Sequence, residues 1–202
     1  MTQAAGRELA YLQHIVRMLM MGGKMHTIED ILALPEGERA ELIDGEMFMM
    51  ATPMRRHQKI VGWLHTMIFN HIMRKGGKCG VDLSPFAVFL KNDRWNYVEP
   101  DVIVICDREK LDDMGCHGAP DWVLEVVSSS SIAMDYQRKL EAYRSAGVRE
   151  YWIIDPMKET VTVYDFESGR TEPEVYRFTE SVKPGTLKDL ELDFGKLSEY
   201  LG

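Results

Sequence analysis

Two long apolar runs in the middle of the chain each carry carboxylates where a core strand would not need them. Val98-Glu99-Pro100-Asp101-Val102-Ile103-Val104-Ile105 reads as a buried strand with an aspartate near its start. Trp122-Val123-Leu124-Glu125-Val126-Val127 reads as a second, with Glu125 in its middle. Short β-branched and apolar runs suit strands better than helices. Alternation sets Asp101 on one face with Glu99, Ile103 and Ile105, and Glu125 with Val123 and Val127. A carboxylate inside an apolar strand has to be paired, hydrogen-bonded or bound to a cation, because an isolated buried charge costs too much. Two on neighbouring strands of one sheet would make a divalent-cation site. The plainer alternatives are backbone amides bonding Asp101, and an ion pair of Glu125 with Arg138 or Lys139.

The flanking pattern fills in an α/β domain. Residues 1–24 read as an appended amphipathic helix ending at Gly22-Gly23, with Met25 an alternative start, and 25–202 as a single domain. Thr27-Ile28-Glu29-Asp30 resembles a capping box for a short helix through Leu34. Residues 41–50 form a hairpin about Asp44-Gly45, a type I′ turn pair. Ile60, Leu64, Met67, Ile68, His71 and Ile72 recur at helical spacing, and Arg74, Lys75 and two glycines close that helix. Strands follow at about Phe86–Leu90 and Val98–Ile105, then a loop from Asp107 to Pro120 and the Glu125 strand. Ser128–Ser131 supply cap candidates for a helix with Tyr136, Leu140 and Tyr143 on one face, ending near Gly147. Tyr151–Ile154 is a further strand, and Thr160–Asp165 with Val175–Phe178 a final hairpin around Ser168-Gly169.

Composition changes the picture in two places. Net charge is −8, against a generic nucleic-acid coat protein, yet 51–81 holds no acidic residue and six cationic ones, among them Arg55, Arg56 and Lys59. These three are the candidate phosphate contacts of a polyanionic substrate. The three cysteines, Cys79, Cys106 and Cys116, show no CxxC spacing, which reads as reduced thiols in a cytoplasmic protein. Leu9–Met21 is interrupted by Gln13, His14 and Arg17 and is too short to span a membrane.

Asp135 and Lys139 stand four apart on one side of their helix, which could be no more than a surface ion pair. That helix starts just after Glu125, however, so Lys139 can lie over the same strand end. Two carboxylates and a lysine suit phosphodiester hydrolysis: a metal clamp, plus a cation that orients water or offsets charge.

Pro100-Asp101 followed by Glu125 looks like the PD-(D/E)XK nuclease signature. The ordered set Glu41-Leu42-Ile43-Asp44-Gly45-Glu46, Glu99-Pro100-Asp101-Val102, 120–128, Asp135, Lys139, Tyr143 and 147–156 resembles the Uma-two family of restriction endonucleases over roughly residues 25–200. The resemblance implies an α/β restriction-endonuclease-like fold, a central mixed β-sheet flanked by helices. It implies a Mg (or Mn)-dependent endodeoxyribonuclease acting on DNA, with Asp101 and Glu125 as metal ligands and Glu41 as the accessory acid. The lysine of the signature belongs at position 127, where this chain has Val127, and Lys139 resembles its migrated replacement. A homodimer would serve double-strand cleavage. The alternatives are a nuclease fold kept only to bind DNA or a protein, and a phosphoesterase acting on RNA or nucleotides.

Overall fold

The structure is a computed structural model that describes residues 24–128, 131–170 and 172–202. The helical reading of the N-terminal extension, Lys24 aside, lies outside them. Its frame is a six-stranded sheet in the order β11-β10-β9-β8-β5-β3, built from β3 (Gly80–Leu83), β5 (Val102–Ile105), β8 (Trp122–Val126), β9 (Glu150–Asp155), β10 (Thr160–Asp165) and β11 (Glu174–Arg177). Only β8 and β9 run parallel, as their helical crossover requires; the other pairs are antiparallel.

Strict alternation gives the sheet two buried faces. Val102, Val104, Trp122, Leu124, Val126, Trp152 and Ile154 pack under helix α2 (Arg55–Lys75), together with Phe194 and Leu197 of the C-terminal helix α4 (Phe194–Leu201). Ile103, Ile105, Val123, Val127, Tyr151 and Ile153 pack on the other face beneath Ala142 and Tyr143 of α3 (Leu140–Ala146). The hairpin β1 (Ala40–Ile43) and β2 (Glu46–Met49) turns through Asp44 and Gly45, both at positive φ, as the type I′ reading expects. The short helix α1 (Ile28–Leu32) begins where expected, with Asp30 Oδ2 accepting the Thr27 backbone N–H at 2.8 Å.

Several elements differ from the sequence reading. The stretch from Val98 to Ile105 is not one strand. Tyr97 and Val98 bridge to Leu42 and Val88, and β5 starts only at Val102. The break falls at Glu99–Asp101, where Pro100 has no N–H to give a ladder. Of the strand expected at Phe86–Leu90, β4 is Val88–Phe89, joined in a separate small sheet to β6 (Leu111–Asp112) and β7 (Gly115–His117). The last two lie inside the expected 107–120 loop. β3 and α4, and the pair β12 (Ser181–Val182) and β13 (Leu192–Asp193), were not foreseen. Their apolar runs are too short to carry a periodic signal.

The cysteine reading is corrected: a disulfide joins Cys79 and Cys106. They flank the Gly80–Ile105 register pair of β3 and β5, so the sheet, not the spacing, brings them together. Cys116 alone is free, and it is buried. No helix among the described residues is long and apolar enough to cross a membrane.

Candidate active site

The break before β5 builds the site. Continuing the register of β5 against β8 sets Asp101 opposite Glu125, and the Asp101 backbone N–H points to Glu125 Oε2 at 3.4 Å. The Asp101 side chain folds over the strand end, where its Oδ2 accepts the Val126 N–H at 2.8 Å. On the same face lies Lys139, at the end of a π-helical turn, Met134–Lys139, that opens α3. A widened turn of this kind is frequent at functional sites, because the extra residue re-aims side chains. Here Lys139 Nζ lies 2.9 Å from Glu125 Oε1, 2.9 Å from Glu41 Oε2 and 3.8 Å from Asp135 Oδ1. Tyr143 OH donates to Glu125 Oε1 at 2.7 Å. Glu41, on β1, is fixed by the Glu99 backbone N–H at 3.0 Å. Glu99 is itself held by Arg39 and by Tyr97 OH.

Glu41, Asp101, Glu125 and Lys139 therefore meet in one place. The alternative of a mere Asp135–Lys139 surface pair does not hold, since the pair is buried, with side chains only 4% and 6% exposed. Both alternatives weighed for Asp101 and Glu125 also hold: one bonds a backbone amide and the other pairs with Lys139. Sequence reasoning missed Asp135, Tyr143 and His57 as members. The first two carried a signal, since 135, 139 and 143 recur at intervals of four on one helix face. His57 carried none; α2 delivers it from the opposite side of the sheet, its Nε2 3.1 Å from Asp101 Oδ2.

Charge is unbalanced. One ammonium faces Glu41, Glu125 and Asp135, with Asp101 next to them. Burial pushes the Glu125 carboxyl well above the ordinary carboxylate range; Lys139 pulls it down but Asp101, Asp135 and Glu41 add to the rise. Burial likewise lifts Asp135 to about 6 against the pull of Lys139. Lys139 loses by burial but is raised well above its usual value by Glu125, Glu41 and Asp135, so it stays charged. For His57, burial is outweighed by the Asp101 hydrogen bond and charge, and its pKa is raised.

Counting donors shows which oxygens remain. Glu41 has both oxygens engaged, by the Glu99 N–H and by Lys139. Glu125 Oε1 takes Lys139 and Tyr143, leaving Oε2 with one long contact. Among the described residues no donor is directed at Asp101 Oδ1. Among the described residues, Asp101 Oδ1 and Glu125 Oε2, the latter with its one long contact, are thus the acceptors with capacity to spare, next to an excess of negative charge. That set fits Mg²⁺, which keeps several waters and needs only one or two protein carboxylates. No three His, Cys, Asp or Glu side chains among the described residues form a metal cage.

The candidate phosphate contacts are less free than their sequence suggests. Arg56 pairs with Glu159 at 3.4 Å, and Lys59 bonds the Tyr200 carbonyl at 3.0 Å and stacks on its ring. Arg55 is exposed on the first turn of α2.

Comparison with known proteins agrees with this architecture. A crystal structure titled as a putative nuclease belonging to DUF820, from Anabaena variabilis, superposes with a TM-score of 0.72 at 23% identity, covering 87% of this chain and 99% of that one. The likeness shows a restriction-endonuclease-like fold. An uncharacterized protein of a Synechocystis species is 28% identical over 128 residues, 63% of this chain and 66% of the relative, just short of two thirds of its length. The sequence pattern of the Uma2 family, described as "Putative restriction endonuclease", matches residues 28–195. That span holds the whole carboxylate–lysine cluster, and the chain belongs to the Uma2 family.

Proposed function

We propose that the chain is a Mg²⁺- or Mn²⁺-dependent endodeoxyribonuclease whose metal ligands are Asp101 and Glu125. The observation that carries this reading is the surplus of buried carboxylate over ammonium, with Asp101 Oδ1 and Glu125 Oε2, the latter bound only by one long contact, beside it. A cation bound there polarises a phosphate and lowers the pKa of a coordinated water. The chain's own residues do the rest. Glu41 and Glu125 hold the Lys139 ammonium 2.9 Å away on either side. Its contact to Asp135 is the longest, at 3.8 Å, so that is the one an attacking water or a phosphate oxygen can displace. Lys139 then orients the water and offsets the charge gathering on the phosphorane. Tyr143 and Lys139 hold Glu125 Oε1, so Oε2 is the oxygen directed toward Asp101. Arg55, exposed two residues before His57 on α2, is the proposed phosphate contact, with Arg56 and Lys59 joining once freed from their internal partners.

Duplex DNA presents two strands related by a two-fold axis, and a homodimer supplies one site to each. Exposed Phe69 and Met73, one turn apart on α2, and the exposed Leu83 on the edge strand β3 are the apolar residues proposed to pair. Phe69→Glu then converts dimer to monomer in light scattering; an unchanged mass assigns the stripe to ordinary surface. A second reading, a DNA-binding module without chemistry, is favoured by one observation: the Lys139 ammonium is already held at 2.9 Å by both Glu41 and Glu125. A cleavage assay on plasmid, single-stranded DNA and RNA with Mg²⁺ and Mn²⁺ separates them. Metal-dependent cutting lost in Asp101→Asn supports the nuclease. Bound but uncut DNA at every metal concentration supports the module, and cutting of RNA alone supports a phosphoesterase.

A further inference from the structure

His57 lies outside every motif in the sequence, yet its Nε2 sits 3.1 Å from Asp101 Oδ2. The same oxygen already accepts the Val126 N–H at 2.8 Å. Oδ2 is therefore claimed from two sides, while no donor among the described residues reaches Oδ1. An ionised carboxylate has no proton to give, so Nε2 carries the hydrogen of this contact. His57 Nδ1 is buried without a hydrogen-bond partner. The helix that carries it is anchored, because Ile60, Val61 and Leu64 are buried in one core cluster with β5 and β8.

We infer that His57 is a positioning residue that restricts Asp101 to one free oxygen, and so tunes the site toward a small octahedral cation and away from Ca²⁺. The inference rests on the reading of Asp101 and Glu125 as metal ligands. Its physical basis is the difference between the ions. Ca²⁺ gathers about six to eight oxygens and readily takes both oxygens of a carboxylate, whereas Mg²⁺ demands about six in near-ideal geometry and keeps its waters. A carboxylate with one oxygen held by two N–H donors presents only the other. Partners that orient a ligand in this way shift metal affinity by about 10–100-fold when removed. Without the imidazole, Asp101 keeps a single backbone donor and can turn both oxygens to a larger ion.

The test is calorimetric titration of the whole chain with MnCl₂ and, separately, CaCl₂, in wild type, His57→Ala, His57→Asn and His57→Gln. A glutamine amide reaches the place of the imidazole Nε2; an asparagine amide stops at that of Nδ1. The Mn²⁺-over-Ca²⁺ affinity ratio is expected to fall about tenfold in the Ala and Asn variants and to stay near wild type in Gln. If Ala fails to fold, the Asn and Gln pair decides the matter alone. A ratio unchanged in Asn overturns the inference and leaves the metal site standing. A ratio as low in Gln as in Asn assigns the effect to lost ring packing and also overturns it. Wild type that binds neither ion, or Asp101→Asn that binds both as wild type does, overturns the metal-site reading and this inference with it.

Discussion

Lys139→Met removes the one ammonium from a pocket that buries Glu41, Glu125 and Asp135. As a conserved-volume change it leaves no large cavity, so the cost is electrostatic. Breaking a buried ion pair by removing one partner costs about 3–5 kcal/mol. For a chain of this size each kcal/mol moves Tm by about 2–4 °C, so the variant should melt about 6–20 °C below wild type near neutral pH. The loss has a pH signature whose sign is fixed. Asp135 is already lifted to about 6 from 3.8, and Glu125 is lifted too, while Lys139 holds both down. Taking the lysine away lifts them further. A carboxyl raised in the folded state contributes stability that is complete below its unfolded pKa and is lost as pH rises through the folded one. The gap between variant and wild type should therefore be narrow near pH 4, widen through about pH 6, and be largest above it. Thermal melts followed by circular dichroism across that range measure it. A Tm equal to wild type at neutral pH, or a deficit that does not vary with pH, would refute the buried-pair account.

Mn²⁺ binding should release protons, because Glu125 and Asp135 hold them above the ordinary carboxylate range until a cation arrives. Affinity should accordingly rise from about pH 5 to about pH 7; titrations in two buffers of different ionisation heat that agree without correction would count against it. Arg55→Glu should flatten the salt dependence of DNA binding by about 0.9 in the slope of log affinity against log salt. Arg56→Glu alone should change it less, since Arg56 is paired with Glu159. Equal slopes for the two variants would return Arg55 to ordinary solvated surface.

The sequence made the sheet legible because its strands alternate cleanly. Ile103, Val123 and Ile153 fall on one buried face, Val104, Trp122 and Trp152 on the other. It made the cluster legible by ordered motifs, and Glu41, Asp101, Glu125 and Lys139 do come together. Three things were hidden for physical reasons. The break at Glu99–Asp101 lies inside a run that looks continuous, since Val98 and Val102 are equally buried on either side. The Cys79–Cys106 link depends on register between β3 and β5, which no spacing reports. His57 sits on a helix whose period marks only its core face, and its role depends on what the helix end lies over.

The surroundings of position 127 suit the proposed move of the signature lysine from strand to helix. Val127 follows Glu125 on the same face, but there it is 2% exposed and packs into the apolar cluster with Tyr143 and Tyr151. An ammonium on that backbone position would have to push into this cluster or bend back along the strand. Lys139 approaches from the helix above, and the π turn that carries it also aligns Asp135, while Tyr151 OH bonds the Asp135 carbonyl at 3.1 Å and fixes the turn to β9. The charge therefore arrives with its own supports: a carboxylate one turn before it and a tyrosine one turn after it, both directed into the same pocket. A lysine restored to 127 would lack those supports and meet Tyr143 instead. The proposed exchange of strand lysine for helix lysine would thus be a change of the whole helix start, not of one residue, and the Asp135, Lys139, Tyr143 spacing is the mark it would leave in the sequence.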